Sequence, residues 1–116
     1  MKVNDVIKRL EQKLNSEAIS SARFLTLLAT IERNNGLFKL AAKHYLLALD
    51  IKADYSTALV NYAILNDLYI HDLPTAQSYY LKYQQQLILD GKEDKRLKNW
   101  LADIKQRIAR LNKENN

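Results

Sequence analysis

Two stretches of the chain decide its fold, residues 25–45 (LTLLATIERNNGLFKLAAKHY) and residues 59–80 (LVNYAILNDLYIHDLPTAQSYY). Each begins with leucine, has an alanine four positions later, passes through a polar turn, and ends on an alanine followed four positions later by tyrosine. Apolar residues that recur every three or four positions are typical of amphipathic helices. Each stretch therefore predicts two helices joined by a turn.

The turns inside the two stretches carry residues that end and restart helices. In the first, Gly36 can adopt the left-handed conformation that closes a helix, and it follows two asparagines, which are poor helix formers. In the second, Asp72 can accept hydrogen bonds from free backbone amides, and Pro74 fits the first turn of a helix. Both turns therefore predict a helix boundary.

The same periodicity predicts helices on either side of these stretches. A short first helix covers about residues 4–14, and Asn15 and Ser16 separate it from a longer helix that starts at Glu17. A last helix covers about residues 92–112, and residues 113–116 are expected to fray. The chain of 116 residues has only two Gly and one Pro, which favours helices joined by short turns. We expect a single all-α domain of about six helices.

The two stretches are also related to each other. Their first helices align with a shift of 34 residues and their second helices with a shift of 35, because the second unit has one extra residue. Helix–turn–helix units of this period resemble the tetratricopeptide repeat (TPR). Neither unit has the closing proline of the family pattern, and Glu32 and Asn66 occupy its usual aromatic position. The alternative is an ordinary helical bundle without a groove.

The resemblance implies antiparallel hairpins stacked as a short right-handed superhelix. Its parts are a truncated preceding unit (residues 1–16), repeat one (22–55), repeat two (56–89) and a C-terminal capping helix (92–112). In the family, the concave side formed by the first helix of each pair holds a peptide or a helix of another protein. The residues expected there are Arg23, Thr26, Thr30, Arg33, Thr57, Val60, Asn61, Ile64 and Asp67.

One TPR subgroup clamps a C-terminal carboxylate with Lys, Asn and Arg. Asn61 matches the asparagine of that clamp, and Lys92 with Arg96 match its basic pair, with Lys95 as a further basic contact. Thr26 and Thr30 stand where the clamp has Lys and Asn, so a complete clamp is not expected. The alternative interpretation of Asn61, a generic hydrogen bond between repeats, is the favoured one, because repeats that clamp nothing also carry asparagine there. The resemblance implies a protein or peptide partner, with an acidic or C-terminal segment.

Charge is concentrated at the C-terminal end of the chain. Residues 91–116 hold eight Lys and Arg against four Asp and Glu, which supplies four of the net +5. A solvated helix face explains this surplus, and binding of RNA or of an anionic membrane surface is the alternative. The last helix also has an apolar stripe that either caps the array or joins two subunits as a homo-oligomer. Its members are Leu97, Trp100, Leu101, Ile104, Ile108 and Leu111.

Catalytic and metal-binding patterns are weak in this sequence. It has no cysteine and no glycine-rich phosphate loop, and His44 and His71 lie on different helical units without a cluster of acids. We expect no enzyme, no cofactor, no metal and no membrane span. Tyr45, Tyr62 and Tyr80 are expected to pack in the core rather than stack on nucleic-acid bases, and an exposed aromatic surface stays open for the other four tyrosines. Localisation stays open between the cytoplasm, for a complete chain, and the periplasm, for an excised domain. Bacterial TPR proteins of this kind often belong to cell-envelope or pilus-assembly complexes, which is the most specific role that the resemblance implies.

Overall fold

The computed structural model describes residues 2–115, which form five α-helices and contain no β-strand. A short π-helical segment follows the third helix directly, so that the two form one rod. The helices are α1 (Val3–Asn34), α2 (Phe38–Ile51), α3 (Ser56–Leu65), α4 (Leu73–Leu89) and α5 (Leu97–Glu114), and the π-helical segment is Asn66–Ile70. The prediction of an all-α chain is confirmed for the residues described.

The first two predicted helices are one helix in the structure. The expected break at Asn15 and Ser16 does not occur, which reduces the expected six helices to five. Residues 3–34 contain neither Gly nor Pro, and Asn and Ser each cost only a few tenths of a kcal/mol, up to ~0.7, relative to Ala within a helix. Adding a residue to an existing helix is far easier than starting one, so α1 continues through both.

The C-terminal helix also differs from its prediction. It begins at Leu97 rather than near residue 92, because the carboxylate of Asp94 binds the backbone amide of Arg96 at 3.1 Å and holds the chain in a turn. It continues to Glu114, so Lys113 and Glu114 are helical rather than frayed. Met1, in the predicted first unit, and Asn116, in the predicted tail, lie outside the described residues.

Both predicted turns are confirmed. Gly36 has a φ of 78°, and the amide of Leu37 reaches back to the carbonyl of Glu32 at 2.9 Å, which closes α1. The carboxylate of Asp72 accepts from the amide of Thr75 at 3.2 Å and caps α4. The extra residue of the second unit is taken up before that cap, since a π-helical turn closes i to i+5 and holds one residue more than an α-helical turn.

Alanines sit at the points where the helices meet. Ala29 on α1 and Ala41 on α2 are fully buried beside Tyr45, and Ala63 on α3 and Ala76 on α4 are fully buried in the neighbouring cluster. A methyl side chain at a crossing point lets two helices approach closely, and a large neighbour fills the space beside it. The sequence pattern of small and large residues therefore corresponds to the observed core.

We predict that Ala29→Leu lowers the free energy of unfolding by about 1–3 kcal/mol, because three added carbons have no space at a close helix contact. Urea denaturation followed by circular dichroism measures this. Ala102→Leu on the exposed face of α5 is the matched control and should stay within about 0.5 kcal/mol of the original protein. Equal effects of the two substitutions would contradict the assigned packing.

Candidate partner-binding cleft

The four predicted groove residues on α1 have different environments. Thr26 is buried, and its hydroxyl donates to the carbonyl of Ala22 at 2.7 Å. The Thr30 hydroxyl lies 2.8 Å from the hydroxyl of Tyr45 and is occupied in the core. Arg23 is exposed and Arg33 is half-buried. Of the four predicted residues on α1, the two threonines are therefore bonded inside the protein, and the side chains of the two arginines reach the surface.

A hydrogen bond joins the predicted stripes of α1 and α3. The guanidinium of Arg33 donates to the side-chain oxygen of Asn61 at 3.3 Å, and the amide nitrogen of Asn61 donates to the carbonyl of Thr57 at 2.8 Å. Arg33 also lies 5.8 Å from the ring centre of Tyr69. Asn61 thus makes the contact between helices that its alternative interpretation expects, and this contact holds α1 beside α3.

An open cleft of about 480 Å³ lies between α3, α4 and the segment before α5. It brings four predicted residues of α3 together with Lys92 and Arg96, whereas Lys95 does not line it. The apolar part of its wall includes Val60, which is buried, and Ile64, which is half-buried. The residues that line it are Ser56, Thr57, Val60, Asn61, Ile64, Tyr83, Leu87, Lys92, Glu93 and Arg96.

Asp94 organises the charged end of the cleft. Its carboxylate accepts from Nε of Arg96 at 3.0 Å, from a terminal nitrogen of Arg96 at 2.8 Å, and from the hydroxyl of Tyr83 at 2.8 Å. The hydrogen bonds from Arg96, aided by that of Tyr83, hold the pKa of Asp94 well below its usual range. Burial, together with the hydrogen bond to Asp94, raises the pKa of Tyr83 to about 12.

This arrangement changes the role of Arg96. The guanidinium is engaged by Asp94 and also lies 4.6 Å from the ring centre of Trp100. Lys92, in contrast, is exposed on the rim of the cleft. The predicted basic pair is therefore divided between one lysine at the opening and one arginine held by an acid. Asp94 was not among the predicted site residues, because the acid and its partner Tyr83 lie on separate elements.

Asp67 is placed inside the protein. Its carboxylate accepts from the hydroxyl of Tyr80 at 2.9 Å and pairs with the guanidinium of Arg107, and only 4% of its side chain is exposed. Burial and the bond to Asp67 raise the pKa of Tyr80 above its ordinary value. The ring of Trp100 stacks on Tyr80 with centres 5.5 Å apart. Helix α5 therefore covers this end of the predicted stripe, which stays open only as far as Ile64.

The apolar stripe of α5 is largely covered by the rest of the chain. Leu97 and Ile104 are buried, and Trp100, Leu101 and Ile108 pack against the core formed by α3 and α4. Among the members of the stripe only Leu111 is exposed. The stripe thus serves mainly as an internal contact, and it offers little apolar surface for the subunit contact that the sequence left open.

Glu32 and His44 form a pair across the first hairpin. Glu32 stands at the position where the TPR pattern has an aromatic residue, and its carboxylate contacts Nδ1 of His44 at 2.5 Å. Both side chains are largely buried. Within residues 2–115 no group of three or more His, Cys, Asp or Glu side chains lies close enough to hold a metal ion.

Comparison of the chain with protein-family models, with curated proteins and with solved structures finds no match in any of the three. None of the helices in the described part of the chain has the length and apolar character needed to cross a membrane.

We predict that Arg107→Ala lowers the free energy of unfolding by about 3 kcal/mol, because it leaves the buried carboxylate of Asp67 without its cation. Arg107→Lys, which keeps the charge but not the planar fork, should give a smaller loss. Chemical denaturation measures both. Arg110→Ala, an exposed arginine one turn later on α5, should stay within about 0.5 kcal/mol, and an equal loss there would contradict the prediction.

We predict that Asp94→Asn lowers the free energy of unfolding by about 1.5–3 kcal/mol at neutral pH, the usual contribution of hydrogen bonds to a charged group. Because the folded-state pKa of Asp94 is depressed, its contribution is present above the unfolded pKa of about 4 and is lost as the pH falls below that value. Denaturation curves of the variant and the original chain should therefore converge in acid. Glu93→Gln, at an exposed neighbour, is the control, and a difference that persists unchanged in strong acid would refute this role.

Proposed function

We propose that the chain is a non-catalytic protein-interaction adaptor, which binds a peptide or a helix of another protein in the cleft between α3 and the segment before α5. The observation that carries this proposal is the composition of the cleft. Of the nine residues predicted for the groove, Thr57, Val60, Asn61 and Ile64 line one opening of about 480 Å³. Lys92 and Arg96, two of the three predicted basic contacts, line the same opening. Such an opening lies within the size range of ligand clefts.

The proposal includes a TPR-like arrangement of the helices. It is supported by the order of packing, in which α1 lies on α2, α3 lies on α4, and α3 also contacts both helices of the first pair. It is further supported by Ala29 and Ala63, which are related by the shift of 34 residues and are both fully buried. In this arrangement α5 is the cap, and the first half of α1 takes the place of the truncated preceding unit.

The chemistry of the cleft defines the class of ligand. An apolar wall of Val60, Ile64 and Leu87 accommodates one or two apolar side chains. The hydroxyl of Thr57 and the ammonium of Lys92 lie at the opening, where they can bind a peptide carbonyl and a carboxylate. We therefore expect a short segment with an apolar residue next to a single acidic group or a C-terminus.

Two observations favour a peptide over RNA or an anionic membrane surface. Two of the arginines in residues 91–116, Arg96 and Arg107, are paired with the carboxylates of Asp94, Asp67 and Asp103, which makes them less available to phosphate groups. Tyr45, Tyr62 and Tyr80 are buried in the core, so they offer no stacking platform for bases.

We predict that peptides selected from a random library on the full chain bind at least about tenfold more weakly to Thr57→Trp, a loss of about 1.4 kcal/mol, because the indole fills the cleft opening. Ser78→Trp, at an exposed position of α4 outside the cleft, is the matched control and should bind normally. Fluorescence anisotropy with labelled peptides measures both affinities.

A second pair of variants tests the electrostatic part of the proposal. Lys92→Glu should weaken peptides that carry a carboxylate more than peptides with an amidated C-terminus and no acid, whereas Lys95→Glu, outside the cleft, should affect both alike. If selection yields no peptide, or if Thr57→Trp binds the selected peptides as well as the original chain does, the adaptor proposal is wrong for this cleft.

A further inference from the structure

The first half of α1 forms an arm that extends beyond the rest of the protein. Residues 2–17 are all exposed, and the first buried residue of the helix is Ala22. A helix of 32 residues is about 48 Å long, while the longest dimension of the whole protein is 67 Å. Because none of residues 2–17 is buried, the arm packs little of its surface against the other four helices. An amphipathic helix of this length gains most of its stability from a partner.

An apolar stripe runs along the whole of α1 on the side away from the groove. On the arm it consists of Val3, Val6, Ile7, Leu10 and Leu14, and on the second half of the helix it consists of Phe24, Leu27 and Ile31. These eight side chains are between 41% and 73% exposed. Arg23 and Thr30, on the groove side, lie on another face of the helix.

Six of the eight stripe residues, all except Val6 and Leu27, have the spacing of a coiled coil. Positions 3, 7, 10, 14, 17, 21, 24, 28 and 31 alternate steps of four and three, which is the 3.5-residue repeat of helices that wind around each other. All nine are apolar except Glu17 and Ser21, which lie near the middle. The pattern along α1 is therefore apolar, then polar, then apolar.

The order apolar, polar, apolar is the same from either end of α1, so two antiparallel copies of the helix can pair apolar with apolar and polar with polar. In an antiparallel pair centred near residue 19, Ile7 faces Ile31 of the second copy, Leu14 faces Phe24, and Leu10 faces Leu28. The polar middle then falls on the polar middle, with Glu17 beside Ser21 of the second copy. In this register no flanking position sets two like charges against each other. Binding to a protein of unrelated sequence would not require this symmetric pattern in α1.

The stripe is large enough for a specific contact. A fully buried aliphatic or aromatic side chain gains about 1.5–3 kcal/mol, which at ~25 cal/mol/Å² corresponds to roughly 60–120 Å². Eight residues, each about half exposed, on each of two copies give roughly 500–1,000 Å² of apolar area. Because little more than half of a typical interface is apolar, the whole contact reaches about 1,000 Å², the area at which specific protein interfaces begin.

We infer that the chain forms a two-fold symmetric homodimer in which the two α1 helices pair antiparallel through this stripe. Each exposed arm then lies on the half of the other α1 that is backed by its own hairpin. A parallel pair would instead pack the two arms against each other and place the packed helices of the two copies side by side. This surface is separate from the cleft of the proposed function, so the dimer leaves the cleft open.

Sedimentation equilibrium of the full chain tests the dimer. We expect a mass of twice 13.5 kDa at micromolar concentrations. Leu10→Glu on the arm and Phe24→Glu on the second half should each weaken the dimer at least about tenfold while leaving helicity and thermal unfolding of the monomer unchanged, because both side chains are exposed. Gln12→Glu adds the same charge on the opposite face of the arm and should have no effect.

The orientation is tested by cross-linking, for which the absence of cysteine gives a clean background. A mixture of Ile7→Cys and Ile31→Cys chains should form a disulfide-linked heterodimer under mild oxidation, and neither variant alone should link to itself. A monomer at all concentrations, a second-half variant that dimerises normally, or self-linking of Ile7→Cys alone would each overturn the inference. Thr57→Trp should dimerise like the original chain, so failure of the dimer and failure of the cleft are distinguishable.

Discussion

The close approach of helices at buried alanines is the constraint on which the rest of the structure depends. Ala29 and Ala41 set the distance between α1 and α2, and Ala63 and Ala76 lie in the contact between α3 and α4. Because each contact is fixed by a methyl group, the tyrosines beside it have one well-packed position. Tyr45 and Tyr80, the ends of the two sequence stretches, fill those positions and are almost completely buried.

The hydroxyls of these two tyrosines form hydrogen bonds with residues that were predicted for the groove. A buried phenol needs a hydrogen-bond partner, and Tyr45 meets Thr30 while Tyr80 meets Asp67. Each bond occupies a residue that the sequence pattern assigns to the groove. The requirement of the core for polar partners thus removes Thr30 and Asp67 from the predicted groove, and the residues in the middle of α3 remain at the cleft.

The helical class and the turns were predictable because their causes are local. The periodicity of apolar residues, the position of Gly36 and the cap at Asp72 all act within one or two helical turns. The continuity of α1 was not predictable from Asn15 and Ser16, since a mild local preference against helix yields to propagation from the packed half. Four residues of α3 that the family resemblance assigned to the groove line the cleft together, because residues on one face of one helix stay together, which is also a local property.

The pairs that bring distant elements together could not be predicted from one sequence. Asp67 and Arg107 are 40 residues apart, and Asp94 with Tyr83 depends on the turn that precedes α5. From the sequence alone, a charged residue on a helix can be either exposed to solvent or paired with an opposite charge, and only its neighbours in space distinguish the two. The sequence therefore shows how many positive charges residues 91–116 carry, but not that two of their arginines pair with buried or half-buried acids and hold the last helix in place.

The groove side and the outer side of α1 carry different kinds of residue, and this division explains how one helix can serve two contacts. On the groove side, Arg33 binds Asn61, so that the helix contributes to a polar surface. On the outer side, the exposed residues of the stripe are apolar and follow a 3.5-residue period, which polar groove contacts do not require. Neither contact needs the other, because the side chains involved project from separate faces of the same helix.

A dimer built on the outer side would place two clefts on one particle, and two linked sites bind a partner with repeated segments far more tightly than either site does alone. The arm of the first helix, which is exposed throughout residues 2–17, would then determine how many sites the partner meets.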